Sequence, residues 1–334
     1  IVCCCGTLLN YLSRWLDYWL QKLKPSVQTY IKDSKHLLYL LKQLGILPPN
    51  AKLFTADANS MYTNILDTDH AIEVISVWLD SLQHKLPENF PLEAVKAAMI
   101  LVMKNNIFEW GDLYFLQLLG TAMGTSAACM WATIYYAIHE MGVLIPTYVN
   151  NLLLFLCFID DIIGIWTGTD AEWIAFKNDA NNFSILEWEF EEPSREINFL
   201  DLTITIENNQ IVTKTYQKDL NLYQYISPMS NHPPTMVKGI TFSLMRTYKN
   251  QNTKQRDYHD MTIKLFKRHV ARGWSRQEIK GYILEADKKL HLPIPTTNVL
   301  PAHLPTESEV LSNKERLFLH LEYDKKDIPR KAIR

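Results

Sequence analysis

Apolar residues recur at helical spacing over residues 7 to 23 (Leu8, Leu12, Trp15, Leu16, Trp19), and Asp33 to Leu44 predicts a second helix closed by Gly45 and the Pro48-Pro49 pair. Leu53 to Ala58 is an apolar run of strand length that ends on an aspartate. Helices are expected from Thr68 or Asp69 to about Gln83 and from Leu92 to Lys104. Ile107 to Trp110 and Leu113 to Leu118 flank Gly111-Asp112 as a hairpin would. After a glycine-containing loop, Ala127 to Met141 reads as a helix. Leu152 to Phe158 and Ile162 to Trp166 then bracket Asp160-Asp161, the pattern of a strand, a tight turn and a strand. Residues 171 to 182 read as helical, and Ile197 to Ile206 with Gln210 to Tyr216 as a hairpin around Asn208-Asn209. A proline-containing stretch, Ser227 to Pro234, precedes basic helices up to about Leu290. Pro293, Pro295, Pro301 and Pro305 follow, before a charged helix expected near Ser312 to Tyr323.

Composition adds little until charge is divided along the chain. The 334 residues are 47% apolar and 21% charged, enough for a substantial core, with a net charge of −2. Residues 1 to 211 hold 12 Lys and Arg against 24 Asp and Glu, whereas residues 212 to 334 hold 22 against 12. An acidic part able to hold cations, followed by a basic part able to hold phosphates, suits a nucleic-acid enzyme; simple segregation of charge by domain suits it equally. No window reaches the roughly 20 uninterrupted apolar residues of a membrane span, so no membrane partner is expected. The cysteines Cys3, Cys4, Cys5, Cys129 and Cys157 are odd in number and lack a Cys-x-x-Cys spacing, which predicts a reducing compartment without disulfides or zinc. The first residue is Ile, and the chain is read as a fragment.

The candidate chemistry lies in three carboxylates. Nucleotidyl transfer uses two divalent ions about 3.5–4 Å apart, one at the attacking hydroxyl and one at the leaving pyrophosphate. Mg²⁺ takes oxygen ligands, and a few aspartates on adjacent strands suffice. Asp57 closes one apolar strand, and Asp160 and Asp161 sit between two more. Taken alone, the pair also fits an ordinary hairpin turn.

The ordered segments resemble the motifs of reverse transcriptases, above all those of Penelope-like retroelements, relatives of telomerase reverse transcriptase. LFTADANSMYTNI resembles motif A, QLLGTAMGTSAACMWATIYYAIHE motif B, FIDDIIGIW motif C and INFLDLTI the strand after motif D. YQKDLNLYQYISPMSNHPPTMVKGI and RHVARGW resemble the thumb entry and thumb of that family, and IVCCCGTLLNYLSRWLDYWLQKL and QTYIKDSKHLLYLL resemble its opening after a basic Arg-Pro-Ile stretch. The chain departs from the family at Cys157, where a basic residue is usual, at Cys129, where proline is usual, and at Thr133, where asparagine is common.

The resemblance implies an α+β right-hand polymerase: a palm with an antiparallel sheet packed on helices, a helical thumb and truncated fingers. It divides the chain into a fingers remnant (1–50), a palm (51–226) and a basic thumb with its tail (227–334). It assigns Asp57, Asp160, Asp161 and the Ala58 carbonyl to two Mg²⁺ ions, for which Mn²⁺ can substitute. Tyr62 is placed under the incoming sugar, where it excludes a 2′-hydroxyl. Gln117, Gly120, Met123 and Gly124 are placed near the nascent base pair. Lys238, Arg246, Lys249, Arg268 and Arg272 are the thumb candidates for phosphate contact. The implied partners are an RNA template, a DNA primer and deoxynucleoside triphosphates. The implied location is intracellular, in the nucleus after cytoplasmic synthesis, and no nuclease activity is expected. The alternative is a catalytically idle retroelement descendant that binds nucleic acid.

Overall fold

A computed structural model describes residues 7–59, 61–62, 65, 68–182, 186–233 and 235–291. The helix expected near Ser312 to Tyr323 lies outside the described residues. The chain divides into two compact units, the first ending at Val212 and the second running from Thr213 onward. This division precedes the 226/227 boundary expected from sequence. The reason is local bonding: Thr213 Oγ1 donates to the Gln251 carbonyl at 2.7 Å, and the Thr215 N–H donates to Asn252 Oδ1 at 3.0 Å.

In the first unit, α1 (Asn10–Gln21) and α2 (Ser34–Gln43) precede strand β1 (Lys52–Ala58). Helices α3 (Thr68–Ser81) and α4 (Leu92–Lys104) follow, then the hairpin β2 (Ile107–Trp110) and β3 (Leu113–Leu116). Helix α5 (Ala128–His139) runs through a π-helical turn (Glu140–Leu144) into a single turn, α6 (Ile145–Thr147). Strands β4 (Leu152–Phe158) and β5 (Asp161–Trp166) come next, then α7 (Asp170–Asn181) and β6 (Trp188–Phe190). The unit closes with β7 (Glu196–Phe199), β8 (Leu202–Glu207) and β9 (Gln210–Thr215), the last of which carries the chain into the second unit.

The central sheet has the order β4-β5-β1-β6, and its pairs are antiparallel. Alternation along each strand sends Phe54, Ala56, Ile162 and Cys157 into a core shared with α1, α3, α4, α5 and α7. The opposite face presents Leu53, Ile163, Ile165 and Leu156 to Leu37, Leu38 and Leu41 of α2 and to the β7–β8 hairpin. Burying both faces explains why β4 and β5 read as almost continuous apolar runs. Gly164 is required by close packing, because a Cβ there would lie 2.3 Å or less from two atoms of the Phe54 ring and 2.9 Å from the Leu154 carbonyl oxygen. One helical run, Ala128–Thr147, is apolar and long enough to cross a membrane by length and composition, and α5 within it belongs to the core.

The stretch Ile197 to Ile206, expected as one strand, is two strands. Leu200 takes a left-handed backbone (φ 53°) and turns the chain between β7 and β8, without the glycine or asparagine that announces such a turn. Strand β6 was not anticipated.

The second unit contains α8 (Thr235–Gln251), α9 (Gln255–Ala271) and α10 (Arg276–His291) around Met245, Tyr248, Tyr258, Met261, Leu265 and Ala286.

Candidate active site

The carboxylates meet through register. In the β1–β5 ladder Asp57 stands directly opposite Asp161, and in β4–β5 Phe158 stands opposite Asp161. The Ala58 N–H donates to the Asp160 carbonyl at 2.9 Å, so Ala58 and Asp160 form the hydrogen-bonded type of antiparallel pair. The next pair, Asp57 with Asp161, is therefore the non-hydrogen-bonded type, with Cα atoms about 4.5 Å apart and side chains on one face. Asp57 also faces Glu189 of β6, so Asp161, Asp57 and Glu189 form a row across three strands. This row lies on the α2 side of the sheet, beyond the apolar cover, and Asp57 and Glu189 are exposed.

Asp160 occupies the turn. Ile159 and Asp160 are the two loop residues between Phe158 and Asp161, and Ile159 has a φ of 59°. Positive φ at the first central position alone is the pattern of a type II′ turn, a place glycine ordinarily takes. A β-branched residue there costs about 1–3 kcal/mol.

Two carboxylates directly opposed on one face repel each other, and a hard divalent cation with oxygen ligands answers that repulsion. The donor set fits such an ion. Among the described residues, no group of three or more His, Cys, Asp or Glu side chains is gathered closely enough to hold a metal by itself. Water and substrate phosphates would have to complete the coordination, as is usual for Mg²⁺.

Tyr62 joins the three motif segments. Its half-buried hydroxyl is hydrogen-bonded to the Cys129 side chain, and burial, that bond and the nearby Asp160 charge push its pKa upward. Its carbonyl accepts from the Thr121 N–H at 2.7 Å, while the Gly120 N–H donates to Ile65 at 2.9 Å. The motif B loop is thereby pinned to the loop after β1, with Gly120 at a φ of 70° and buried. Met123 and Gly124 are exposed. The Gln117 side chain is turned locally, its Nε2 donating to the Leu119 carbonyl at 2.8 Å.

Behind motif C lies a buried polar group. Glu140, 5% exposed, accepts from Cys157 Sγ at 3.3 Å through Oε1, while its Oε2 and the nearby Thr29 hydroxyl oxygen lack good hydrogen bonds. Burial pushes the Glu140 carboxyl up to about 7, against the opposing influence of Thr29 and Cys157. On strand β4, the Cys157 N–H donates to the Thr29 carbonyl at 2.7 Å and its carbonyl accepts from the Ile31 N–H at 3.0 Å. Residues 29–31 therefore line the outer edge of the sheet.

The basic candidates of the second unit are mostly engaged within it. Lys238 pairs with Glu285 at 2.7 Å, and Lys249 Nζ lies 3.2 Å from Gln255 Oε1 and 3.0 Å from His291 Nε2. Arg268 lies over the Tyr223 ring at 4.2 Å and donates to Gln217 at 2.9 Å, while Arg272 Nε donates to the Tyr225 carbonyl at 2.8 Å. These two arginines fasten the irregular segment 216–226 to α9. Arg246, Lys264 and Lys267 are exposed and carry no ion pair among the described residues.

Sequence reasoning missed Glu189. The only local signal was the alternation Trp188-Glu189-Phe190, and its position beside Asp57 depends on register.

No protein-family model and no curated protein sequence matches the chain. Solved structures do share its fold. Telomerase from Candida albicans, in complex with a fragment of telomeric RNA, aligns at 9% identity and a TM-score of 0.56, over 86% of this chain and 54% of that one. The RNA-dependent RNA polymerase of a human picobirnavirus aligns at 12% identity and a TM-score of 0.53, over 83% and 54%. The BmCPV RNA-dependent RNA polymerase at its elongation state aligns at 12% and 0.52, over 82% and 24%. The fold is thus the α+β palm-and-thumb fold of nucleic-acid polymerases. The chain spans about half the length of the telomerase and picobirnavirus chains.

Proposed function

We propose that the chain is an RNA-directed DNA polymerase of the Penelope-like retroelement type, extending a primer 3′-hydroxyl with deoxynucleotides. The observation that carries this reading is the pairing of Asp57 with Asp161 beside the Asp160 turn, in a fold shared with polymerases. Asp57, Asp160 and Asp161, with the Ala58 carbonyl, would hold two Mg²⁺ ions. When bound there, they supply the Lewis acidity that activates the hydroxyl and stabilises the pyrophosphate.

The protein's own groups do the rest. The aspartates orient the reacting oxygens through fixed register. The Tyr62 ring, its hydroxyl bonded to the Cys129 side chain and under the influence of the Asp160 charge, blocks a 2′-hydroxyl. The motif B loop offers a close backbone surface to the nascent base pair, and exposed basic residues of the second unit neutralise phosphates without reading sequence.

The test is primer extension on an RNA template with Mg²⁺ or Mn²⁺, comparing deoxynucleotides with ribonucleotides and the wild-type chain with Asp160→Asn. Wild type should extend with deoxynucleotides and Asp160→Asn should not; equal extension by both removes the catalytic assignment. A second reading, an idle nucleic-acid binder, draws on the absence of a ready three-residue metal cage among the described residues. It requires primer-template binding, unchanged by divalent ions, with no extension by wild type.

A further inference from the structure

The first unit is acidic, yet its basic residues are unevenly placed. Five of its 12 Lys and Arg residues fall between positions 22 and 42, a stretch whose single acidic residue is Asp33. Asp33 is occupied as the N-cap of α2, its Oδ1 accepting from the His36 N–H at 2.8 Å. Lys24, Lys32, Lys35 and His36 line one open groove of about 720 Å³ together with Tyr30 and Tyr39. Lys24 lies over the Tyr30 ring at 4.9 Å, and Tyr39 is 62% exposed. By contrast, Lys96, Lys104 and Lys177 of the same unit are tied to carboxylates at 2.6 to 2.7 Å. Among the described residues the three groove lysines make no ion pair.

The groove is joined to the catalytic turn by backbone. Its wall contains Tyr30, whose chain neighbours Thr29 and Ile31 are hydrogen-bonded to the N–H and the carbonyl of Cys157, which precedes Asp160 by three residues. Three residues span at most about 10 Å, and less where Ile159 and Asp160 turn the chain. At about 3.4 Å per nucleotide along one strand, that is a reach of at most roughly three nucleotides. Three lysines against the single carboxylate of Asp33, interleaved with the exposed Tyr39 and the partly buried Tyr30, match a sugar-phosphate chain: the cations neutralise phosphates and the rings receive sugars or bases.

We infer that this groove holds the backbone of the primer strand as it approaches the catalytic turn, with Lys24, Lys32 and Lys35 on its phosphates and Tyr30 and Tyr39 against its sugars and bases. The inference rests on the polymerase reading above. It adds a phosphate-binding surface on the acidic unit, apart from the basic second unit.

The test measures binding of a fluorescent RNA–DNA primer-template to the full chain carrying Asp160→Asn, so that turnover does not enter. Adding Lys24→Ala, Lys32→Ala and Lys35→Ala together should lower the slope of log affinity against log salt by about 2 to 3 and weaken binding about tenfold or more near 0.1 M salt. Replacing all three by Arg should keep the slope, which separates charge from folding. Neutral methylphosphonate linkages near the primer 3′ end should weaken binding to the parent and have little further effect on the triple Ala variant.

An unchanged slope and affinity in the triple Ala variant overturns the inference, as does the same pattern arising from methylphosphonates in the template strand. Failure of the parent to bind any primer-template overturns the polymerase reading, and the inference with it. Binding that behaves as expected, with no extension by wild type, leaves the groove assignment standing and removes the catalytic one.

Discussion

Substituting Glu140 should change stability in a strongly pH-dependent way. Its carboxyl is 5% exposed, receives one weak hydrogen bond from the Cys157 thiol, and leaves Oε2 without a partner. Burial raises it from the ordinary 4.5 to about 7. Below pH 4.5 the group is protonated in both folded and unfolded chains and imposes no charge penalty. As pH rises from 4.5 toward 7 the unfolded chain releases its proton first, so folding loses stability across that window. The loss levels off above 7. At about 1.4 kcal/mol per unit of pKa, the shift amounts to roughly 3 kcal/mol at pH 8. Glu140→Gln keeps the size and removes the charge, and its amide can donate to the Thr29 hydroxyl. At pH 8 the variant should melt about 5–10 °C above wild type, and at pH 5 the difference should nearly vanish. Thermal unfolding followed by circular dichroism at the two pH values measures this. A gain of equal size at both, or a loss at pH 8, would refute the claim that a buried charge is being removed.

Other outcomes follow from the same geometry. Asp57→Asn should relieve the cross-strand repulsion, raising stability in chelator by up to about 1 kcal/mol while abolishing primer extension; a variant that is both active and unchanged in melting would contradict the pairing. Gly164→Ala should cost about 1–3 kcal/mol by forcing the Phe54 ring aside, with part of the loss recovered in Phe54→Leu/Gly164→Ala; denaturant titration of these two variants and of Phe54→Leu alone decides it. Tyr62→Ala should admit ribonucleotides in extension assays, and retained discrimination would remove its role under the sugar. Arg268→Ala should expose the segment 216–226 to protease without altering the melting of the first unit, which limited proteolysis with mass mapping can check.

The parts of the fold that could be read from sequence were those governed by local rules. Thr169 caps α7 in a capping box with Glu172, and the β4–β5 hairpin announced itself by two apolar runs around a polar pair. Other features depend on partners distant in the chain. Leu200 turns left-handed with no residue type to signal it, so β7 and β8 looked like one strand. The short strand β6 is hidden among Glu187, Glu191 and Glu192, and Glu189 gains meaning only by facing Asp57. Charge alone suggested Arg268 and Arg272 as phosphate contacts. Their observed partners, Gln217, Tyr223 and the Tyr225 carbonyl, come from a segment about fifty residues earlier. The lysine groove was equally illegible, because nothing near Thr29 says that it will bond to Cys157.

The left-handed isoleucine in the motif C turn carries one more implication. Glycine at position 159 would relax that backbone, and a hairpin selected only for robustness would be expected to have it. A bulky branched side chain instead narrows the range of shapes the loop can sample, so the acidic tip wanders less than a glycine hinge would allow. Stiffness at the proposed point of chemistry is thus obtained from local discomfort, and a softer turn should hold its carboxylates less faithfully even while the protein as a whole becomes harder to unfold.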